Sequence, residues 1–212
     1  MRSVFRAVSL VIVGLSTTTW ALAQTEGVKE TERMVKSGES TIRAIGEGRQ
    51  DTKSALDAYN ALVQGGSSES MKSDYKKLLK SEKAMNSEVA DARKALADMD
   101  KQAAIYFTSR STQISQIQDP GLRDQAKGRL ENSQKGYDNV KAEMRAAGDA
   151  LAPFSSDLSD QIKYLGADLS PGATASLKPQ AEKLNARGDA LFAQIDKATA
   201  SATTYFDSLR SQ

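Results

Sequence analysis

The chain has 212 residues, with 29 lysines and arginines against 27 aspartates and glutamates, and it contains neither histidine nor cysteine. Without these two residue types there can be no histidine-based triad, histidine zinc site, Glu-x-x-His di-iron bundle, thiol chemistry, iron–sulfur cluster or covalent haem. A nearly balanced charge provides no basic surface for nucleic acid. We therefore expect a protein that is not an enzyme, uses no cofactor and has no nucleic-acid partner. No EF-hand loop is present and no metal site is predicted, although calcium binding by carboxylates alone stays open.

The N-terminus has the organisation of a secretory signal peptide. Arg2 and Arg6 precede an apolar run over residues 7–15, and Ala21-Leu22-Ala23 has the small-x-small pattern of a cleavage site. The apolar run is much shorter than the roughly 20 residues that a membrane-spanning helix needs. We predict that residues 1–23 are removed after Ala23 and that the mature chain is periplasmic and has no transmembrane segment. Because the chain has no cysteine, we also predict that it is not lipidated.

The mature chain, residues 24–212, shows helical spacing of apolar residues throughout and no alternating strand pattern. It is predicted to form one all-α domain with four helices, at about residues 27–63, 69–118, 120–166 and 174–210. Short connectors between long helices make consecutive helices antiparallel neighbours. The expected architecture is an elongated four-helix bundle or coiled coil with up-down-up-down topology.

The second predicted helix has the most regular apolar pattern. One row of residues recurs every seven positions: Met71, Leu78, Met85, Ala92, Met99 and Tyr106. A strict seven-residue repeat indicates left-handed, coiled-coil-like packing. In the third helix, Pro153 removes a backbone hydrogen bond and is expected to produce a kink. Asp119 and Pro120 are expected to begin that helix as N-cap and first helical residue.

Counting residues away from the turn at 65–68 predicts a pair of charges across the first two helices. Arg49 and Glu82 both occupy rows that face the neighbouring helix. We predict an ion pair between them that fixes the register of this hairpin and has a structural role.

The same counting predicts that the first helix begins opposite about residue 107 and the last helix ends opposite about residue 131. A two-helix tip, about residues 108–129, should then project beyond the four-helix body. Apolar groups at such a tip form a candidate contact surface. The candidate interaction residues are Ile114, Ile117, Leu122 and Arg123. The alternative is a closed hairpin in which the apolar residues bury one another.

Several segments resemble one bacterial envelope family. They are "GVKETERMV", "LDAYNAL", "YKKLLKSEKAMNSEVADARKAL", "DPGLRDQAKGRLENSQKGYDNVKAEMRAA" and, after Pro153, "LSDQIKYLGADLSPGATASL". In this order they are similar to the family known as domain of unknown function 2959, and the resemblance covers nearly all of residues 27–209. Gly166 and Ala167 stand where that family usually has His and Asn. The resemblance supports the fold and the envelope location and implies no mechanism.

The leading hypothesis is a non-enzymatic periplasmic protein that acts as a structural or protein-interaction module of the cell envelope, with an envelope protein as its partner. Two alternatives stay open. One is a chaperone-like or stress protein that holds unfolded clients, and the other is a small-ligand-binding bundle with a pocket near the Pro153 kink. Long heptad repeats serve packing within and between chains equally well, so a monomer and a homo-oligomer are both compatible with the sequence.

Overall fold

The computed structural model describes the backbone of residues 17–211 and the side chains of residues 27–211. The predicted signal peptide lies largely outside the described residues. Within residues 17–211 the structure has five helices and no strand, which confirms the all-α prediction. The helices are α1 (Thr17–Val63), α2 (Ser68–Ser115), α3 (Pro120–Ala167), α4 (Pro171–Ser176) and α5 (Lys178–Arg210).

The largest differences from the predicted helix bounds are at two places, and α2 also ends at Ser115 instead of near residue 118. Helix α1 begins at Thr17 instead of near residue 27. The last predicted helix is divided into α4 and α5 at Leu177. Pro179 explains the division, because it has no N–H for the carbonyl of Ala175 and its ring would clash with that carbonyl. The backbone bonds resume when Ala181 N–H donates to the Leu177 carbonyl at 2.8 Å.

The connectors follow the predicted turn chemistry. Gly65 adopts a φ of +81°, which a residue with a Cβ rarely adopts. Ser67 then caps α2 by accepting a hydrogen bond from Ser70 N–H at 3.2 Å. Asp119 caps α3, as predicted, by accepting from Leu122 N–H at 2.8 Å.

Contacts between the helices are compatible with the predicted up-down bundle. Thr41 Oγ1 on α1 donates to the Ala95 carbonyl on α2 at 3.0 Å, and Arg110 Nη2 donates to Thr31 Oγ1 at 2.8 Å. Residue numbers therefore rise along α1 as they fall along α2, so the two helices are antiparallel. Helix α1 also contacts α5, and α3 contacts both α2 and α5.

The core consists of two clusters of buried side chains that follow one another along the helices. Cluster 1, near the α1–α2 turn, is centred on Leu56, Tyr59, Leu62, Met71, Leu78, Met85, Phe154, Leu158, Leu165, Leu184 and Leu191. Cluster 2, nearer the α2–α3 turn, is centred on Met34, Met99, Ala103, Tyr106, Tyr137, Val140, Met144, Ala198, Ala202, Phe206 and Leu209. Ile45 packs against both clusters.

The seven-residue row of α2 lies in these clusters, as its spacing predicts. Its large members, from Met71 to Tyr106, are buried, and Ala92 alone is half-buried. Ala92 falls between Met85 of cluster 1 and Met99 of cluster 2. The boundary between the clusters is therefore the level at which the row has its smallest side chain.

The glycines in the middle of α1 have different surroundings. A Cβ on Gly38 would overlap the ring of Phe206, and a Cβ on Gly48 would lie 3.7 Å from the Glu88 carbonyl oxygen. A Cβ on Gly46 would meet nothing within 4 Å. Gly38 thus permits close packing of α1 on α5, whereas a Cβ at position 48 would make ordinary contact with α2 and one at position 46 would lie in open space.

Replacing Gly38 with alanine is expected to lower the free energy of unfolding by about 1–3 kcal/mol, because the new methyl group overpacks the contact with Phe206. The matched change Gly46→Ala should raise it by up to about 1 kcal/mol, because alanine is the better helix former and the site is open. Urea unfolding monitored by circular dichroism measures both changes. Equal effects of the two substitutions would contradict the assigned α1–α5 contact.

Three tyrosines have hydroxyl groups in or beside the core. Burial raises the pKa of Tyr59 and of Tyr205 to about 12, and burial together with a hydrogen bond to Asp100 raises the pKa of Tyr137. Tyr59 donates its hydroxyl proton to Gln161 Oε1 and so joins α1 to α3. These tyrosines keep their protons to higher pH in the folded protein than in the unfolded chain, where the pKa is about 10.

Stability should therefore be intact below about pH 10 and should fall as the pH rises toward 12, because deprotonation favours the unfolded state. A Tyr59→Phe variant should lose about 1 kcal/mol at neutral pH with its hydrogen bond. Its deficit should shrink between about pH 10 and 12, since it lacks one of the ionising groups. Urea midpoints at about pH 8, 10 and 11 test this, and parallel pH profiles for both proteins would refute it.

Candidate functional site

The four predicted interaction residues lie together at the turn between α2 and α3. Ile114 and Ile117 are half-buried, and Leu122 is 59% exposed. Arg123 Nη1 donates to the Ile117 carbonyl at 3.3 Å, which ties the beginning of α3 to the end of α2. None of these four side chains belongs to cluster 1 or cluster 2. We call residues 114–123 the tip.

The tip is shorter than predicted. A Cβ on Gly27 would lie 3.1 Å from side-chain nitrogens of Arg110 and of Gln113. Helix α1 therefore flanks α2 at least as far as Gln113, and the prediction that projection begins near residue 108 is wrong. The pivot between α1 and α2 lies at about residue 68, which is about one residue later than the prediction for the tip assumed and two or three later than the prediction for Arg49 and Glu82 assumed. Thr41 in fact lies beside Ala95.

The predicted pair of Arg49 with Glu82 is wrong for the same reason. Gly48 lies beside Glu88, so Glu82 is about six residues, or about 9 Å, further along α2. Arg49 instead turns to α5, where Nη2 donates to Asp196 Oδ2 at 2.8 Å and Nε lies 2.7 Å from Oδ1. Its guanidinium group also stacks over Phe192 at 5.1 Å from the ring centroid.

A cavity of about 90 Å³ lies at the boundary between the two core clusters. All four long helices contribute to its wall. The lining residues are Ile45, Gly48, Arg49, Thr52, Val89, Ala92, Arg93, Leu96, Met144, Ala147, Gly148, Leu151, Ile195 and Ala198. Its α3 wall ends at Leu151, two positions before Pro153, so a cavity lies where the ligand-binding alternative placed a pocket.

The burial of the lining residues shows which way the cavity faces. On α1 and α5 the lining residues Gly48, Thr52 and Ala198 are buried and form the floor. On α2 and α3, Arg93 and Gly148 are exposed and form the rim. The cavity therefore opens to solvent between α2 and α3.

The interior of the cavity is apolar and its rim is basic. Thr52 is the only neutral side chain of the lining with a polar group, and its hydroxyl already donates to the Gly48 carbonyl at 2.6 Å. The lining contains two arginines and no carboxylate. Arg49 is paired with Asp196, whereas Arg93 forms no ion pair with any side chain of residues 27–211.

Apart from Arg49 and Ala92, the lining residues were not singled out from the sequence, although one signal for them was available. In the row from Met71 to Tyr106, Ala92 is the single small residue among large ones. Gly48 on α1 and Gly148 on α3 are also small. When α1 and α3 are placed antiparallel to α2, both glycines lie at the same height along the bundle as Ala92. Such a coincidence of small residues predicts a gap in the core.

Other surface features of the described chain are less specific. A wide groove between α1 and α2 has Arg33, Lys36 and Lys94 facing Asp91 and Asp98, and it is open to solvent. Within residues 27–211, no group of three or more acidic side chains could hold a metal ion. In the same range, no helix combines the length and the apolar character that crossing a membrane requires.

Comparison with protein-family models finds one match, over residues 20–209, to the family described as protein of unknown function (DUF2959). The chain belongs to this family. The match spans the whole of α2, α3, α4 and nearly all of α1 and α5, so the tip and the cavity both lie inside the family domain. Searches of curated proteins and of solved structures find no significant match.

Proposed function

We propose that this member of the DUF2959 family is a non-enzymatic, antiparallel up-down-up-down four-helix bundle of the periplasm. It serves as a structural or protein-interaction module of the cell envelope, and the tip is its contact site. One observation underlies this proposal. Both core clusters end before the tip, while the tip presents Leu122, the most exposed large apolar side chain of the described part of the chain.

The antiparallel contacts of α1 with α2 and the contacts of α3 with α2 and α5 support the bundle topology. The basic, apolar and small-residue segments that end at Ala23 support export. The absence of histidine and cysteine supports a non-enzymatic role, because it excludes histidine-based and thiol-based catalysis.

Small-ligand binding is a second candidate function, and the cavity between α2 and α3 favours it. The chaperone-like alternative has less support. It needs a continuous apolar surface, yet among residues 27–211 large exposed apolar side chains are few and lie on three helices: Val28, Leu79, Ile105, Leu122 and Tyr164. Single exposed apolar residues of this kind are common on soluble proteins.

Photocrosslinking in intact cells tests the contact role of the tip. A photoreactive amino acid replaces Leu122 in one variant and Leu79 in the other. Leu79 is a matched control, since it is also an exposed leucine, at 40%, and it lies on α2 away from the tip. We expect a discrete adduct from position 122 and none from position 79, because the tip extends beyond both core clusters, whereas Leu79 lies on the outer face of α2 beside buried Leu78 of cluster 1.

A second part of the crosslinking experiment tests whether the Leu122 side chain itself makes the contact with the partner. With the crosslinker at exposed Asp124, the change Leu122→Ser should abolish the adduct and leave stability nearly unchanged. An adduct of twice the chain mass would identify a second copy as the partner. Similar smears of many proteins from positions 122 and 79 would instead favour the chaperone-like function, and the absence of any adduct at 122 would refute the contact role.

Export is tested separately by cell fractionation and intact mass measurement. The periplasmic protein should begin at Gln24. The change Ala23→Glu should leave an uncleaved, membrane-associated precursor, because the cleavage site needs a small residue there. Thr25→Glu, on the mature side, is the control and should be processed normally. A full-length protein in the cytoplasmic fraction of wild-type cells would contradict the proposed location.

A further inference from the structure

We infer that the cavity between α2 and α3 binds the apolar end of a small anionic amphiphile, such as an alkyl carboxylate, whose head group lies beside Arg93. This inference rests on the second function proposed above and is independent of the tip. It names the class of ligand that the shape, polarity and charge of the cavity would select.

The interior selects an alkyl group. Its wall is built from aliphatic side chains, and the hydroxyl of Thr52 is already bonded to Gly48. Water needs two to four polar partners in a buried site, so an interior of this kind is poorly suited to water. The volume of about 90 Å³ is smaller than the roughly 150 Å³ of a cavity that takes benzene. It therefore has room for only a few carbon atoms of a chain.

The opening allows the rest of the molecule to stay outside. A Cβ on Gly148 would meet nothing within 4 Å, so no side chain closes the α3 side of the mouth. The polar contacts between α2 and α3 lie away from it, where Tyr137 donates to Asp100 at 2.6 Å and Tyr75 Oη lies 3.4 Å from the Ile162 carbonyl oxygen. An alkyl chain can thus enter between the two helices while its head group remains at the surface.

The charges at the rim select the sign of the head group. Arg93 lines the mouth, is exposed and has no ion-pair partner among residues 27–211, whereas Arg49 is already neutralised by Asp196. No carboxylate lines the cavity to attract a cation. A guanidinium group binds a carboxylate through two parallel hydrogen bonds, which gives the pair both strength and direction.

Titration of the mature protein, residues 24–212, with three probes of equal chain length tests this inference. Hexanoate, hexanol and hexylammonium are followed by amide NMR shifts at Ala92, Gly148 and Ala198. We expect hexanoate to bind most tightly and hexylammonium most weakly. Along the series from propanoate to octanoate, each added methylene should tighten binding about fourfold until the cavity is full, after which the affinity should level off.

Substitutions at the mouth and in the interior have matched controls. Gly148→Leu closes the mouth and should weaken hexanoate binding at least tenfold, whereas Gly128→Leu, at another open glycine of α3, should not. Ala92→Leu fills the interior from α2 and should also abolish binding. Arg93→Gln should weaken hexanoate roughly three- to tenfold and leave hexanol unchanged. Lys94→Gln, which removes the same charge on the α1 side of α2, should change neither.

Binding of hexanol without preference for hexanoate would overturn the anionic ligand class while leaving small-ligand binding in place. Hexanoate shifts that persist in both Gly148→Leu and Ala92→Leu would overturn the site. If saturating concentrations of hexanoate, hexanol and hexylammonium all fail to shift the amide signals of Ala92, Gly148 and Ala198, both the inference and the second proposed function are overturned. None of these results depends on crosslinking at Leu122, so failure at the cavity and failure at the tip are distinguishable.

Discussion

The seven-residue row of large side chains on α2 is the constraint on which the rest of the structure depends. The chain has no cysteine and so no disulfide, and its stability comes from packing. A repeat of seven residues keeps one face of a helix directed at its neighbours over many turns. The buried residues from Met71 to Tyr106 are therefore spread along both clusters, and α1 and α3 pack directly against this helix.

The interruption of that row creates the cavity. At Ala92 the row has a methyl group where the other members have Met, Leu or Tyr. The neighbouring helices do not fill the gap, because Gly48, Ala147 and Gly148 are also small at this level. A gap in a core loses dispersion contacts and destabilises the fold. Its position, between two otherwise continuous clusters, is why we consider it a binding site.

The helix pairs are held together by different contacts. Helix α1 approaches α2 and α5 closely at glycines, with Gly48 beside Glu88 and Gly38 beneath Phe206. Helices α2 and α3 are joined by polar contacts, among them Tyr137 and Lys141, at 2.6 and 2.7 Å from Asp100. These contacts lie on one side of the cavity, and the contact of Tyr75 with the Ile162 carbonyl oxygen lies on the other side, so no such contact closes the mouth between α2 and α3. The cavity therefore opens between α2 and α3, and not between α1 and its neighbours, because the helix pairs are held together in these different ways.

The sequence by itself determined the helical class, the turns and the buried row of α2, because these depend on spacings of three, four and seven residues and on local caps such as Asp119. The pairing of Arg49 and the length of the tip were decided only by the tertiary structure. Both depend on the register between helices, and a shift of a few residues at one turn moves every facing pair. The cavity lining was likewise decided there, since small side chains distant in sequence, such as Gly48, Ala92 and Gly148, leave a gap only when folding brings them to one level.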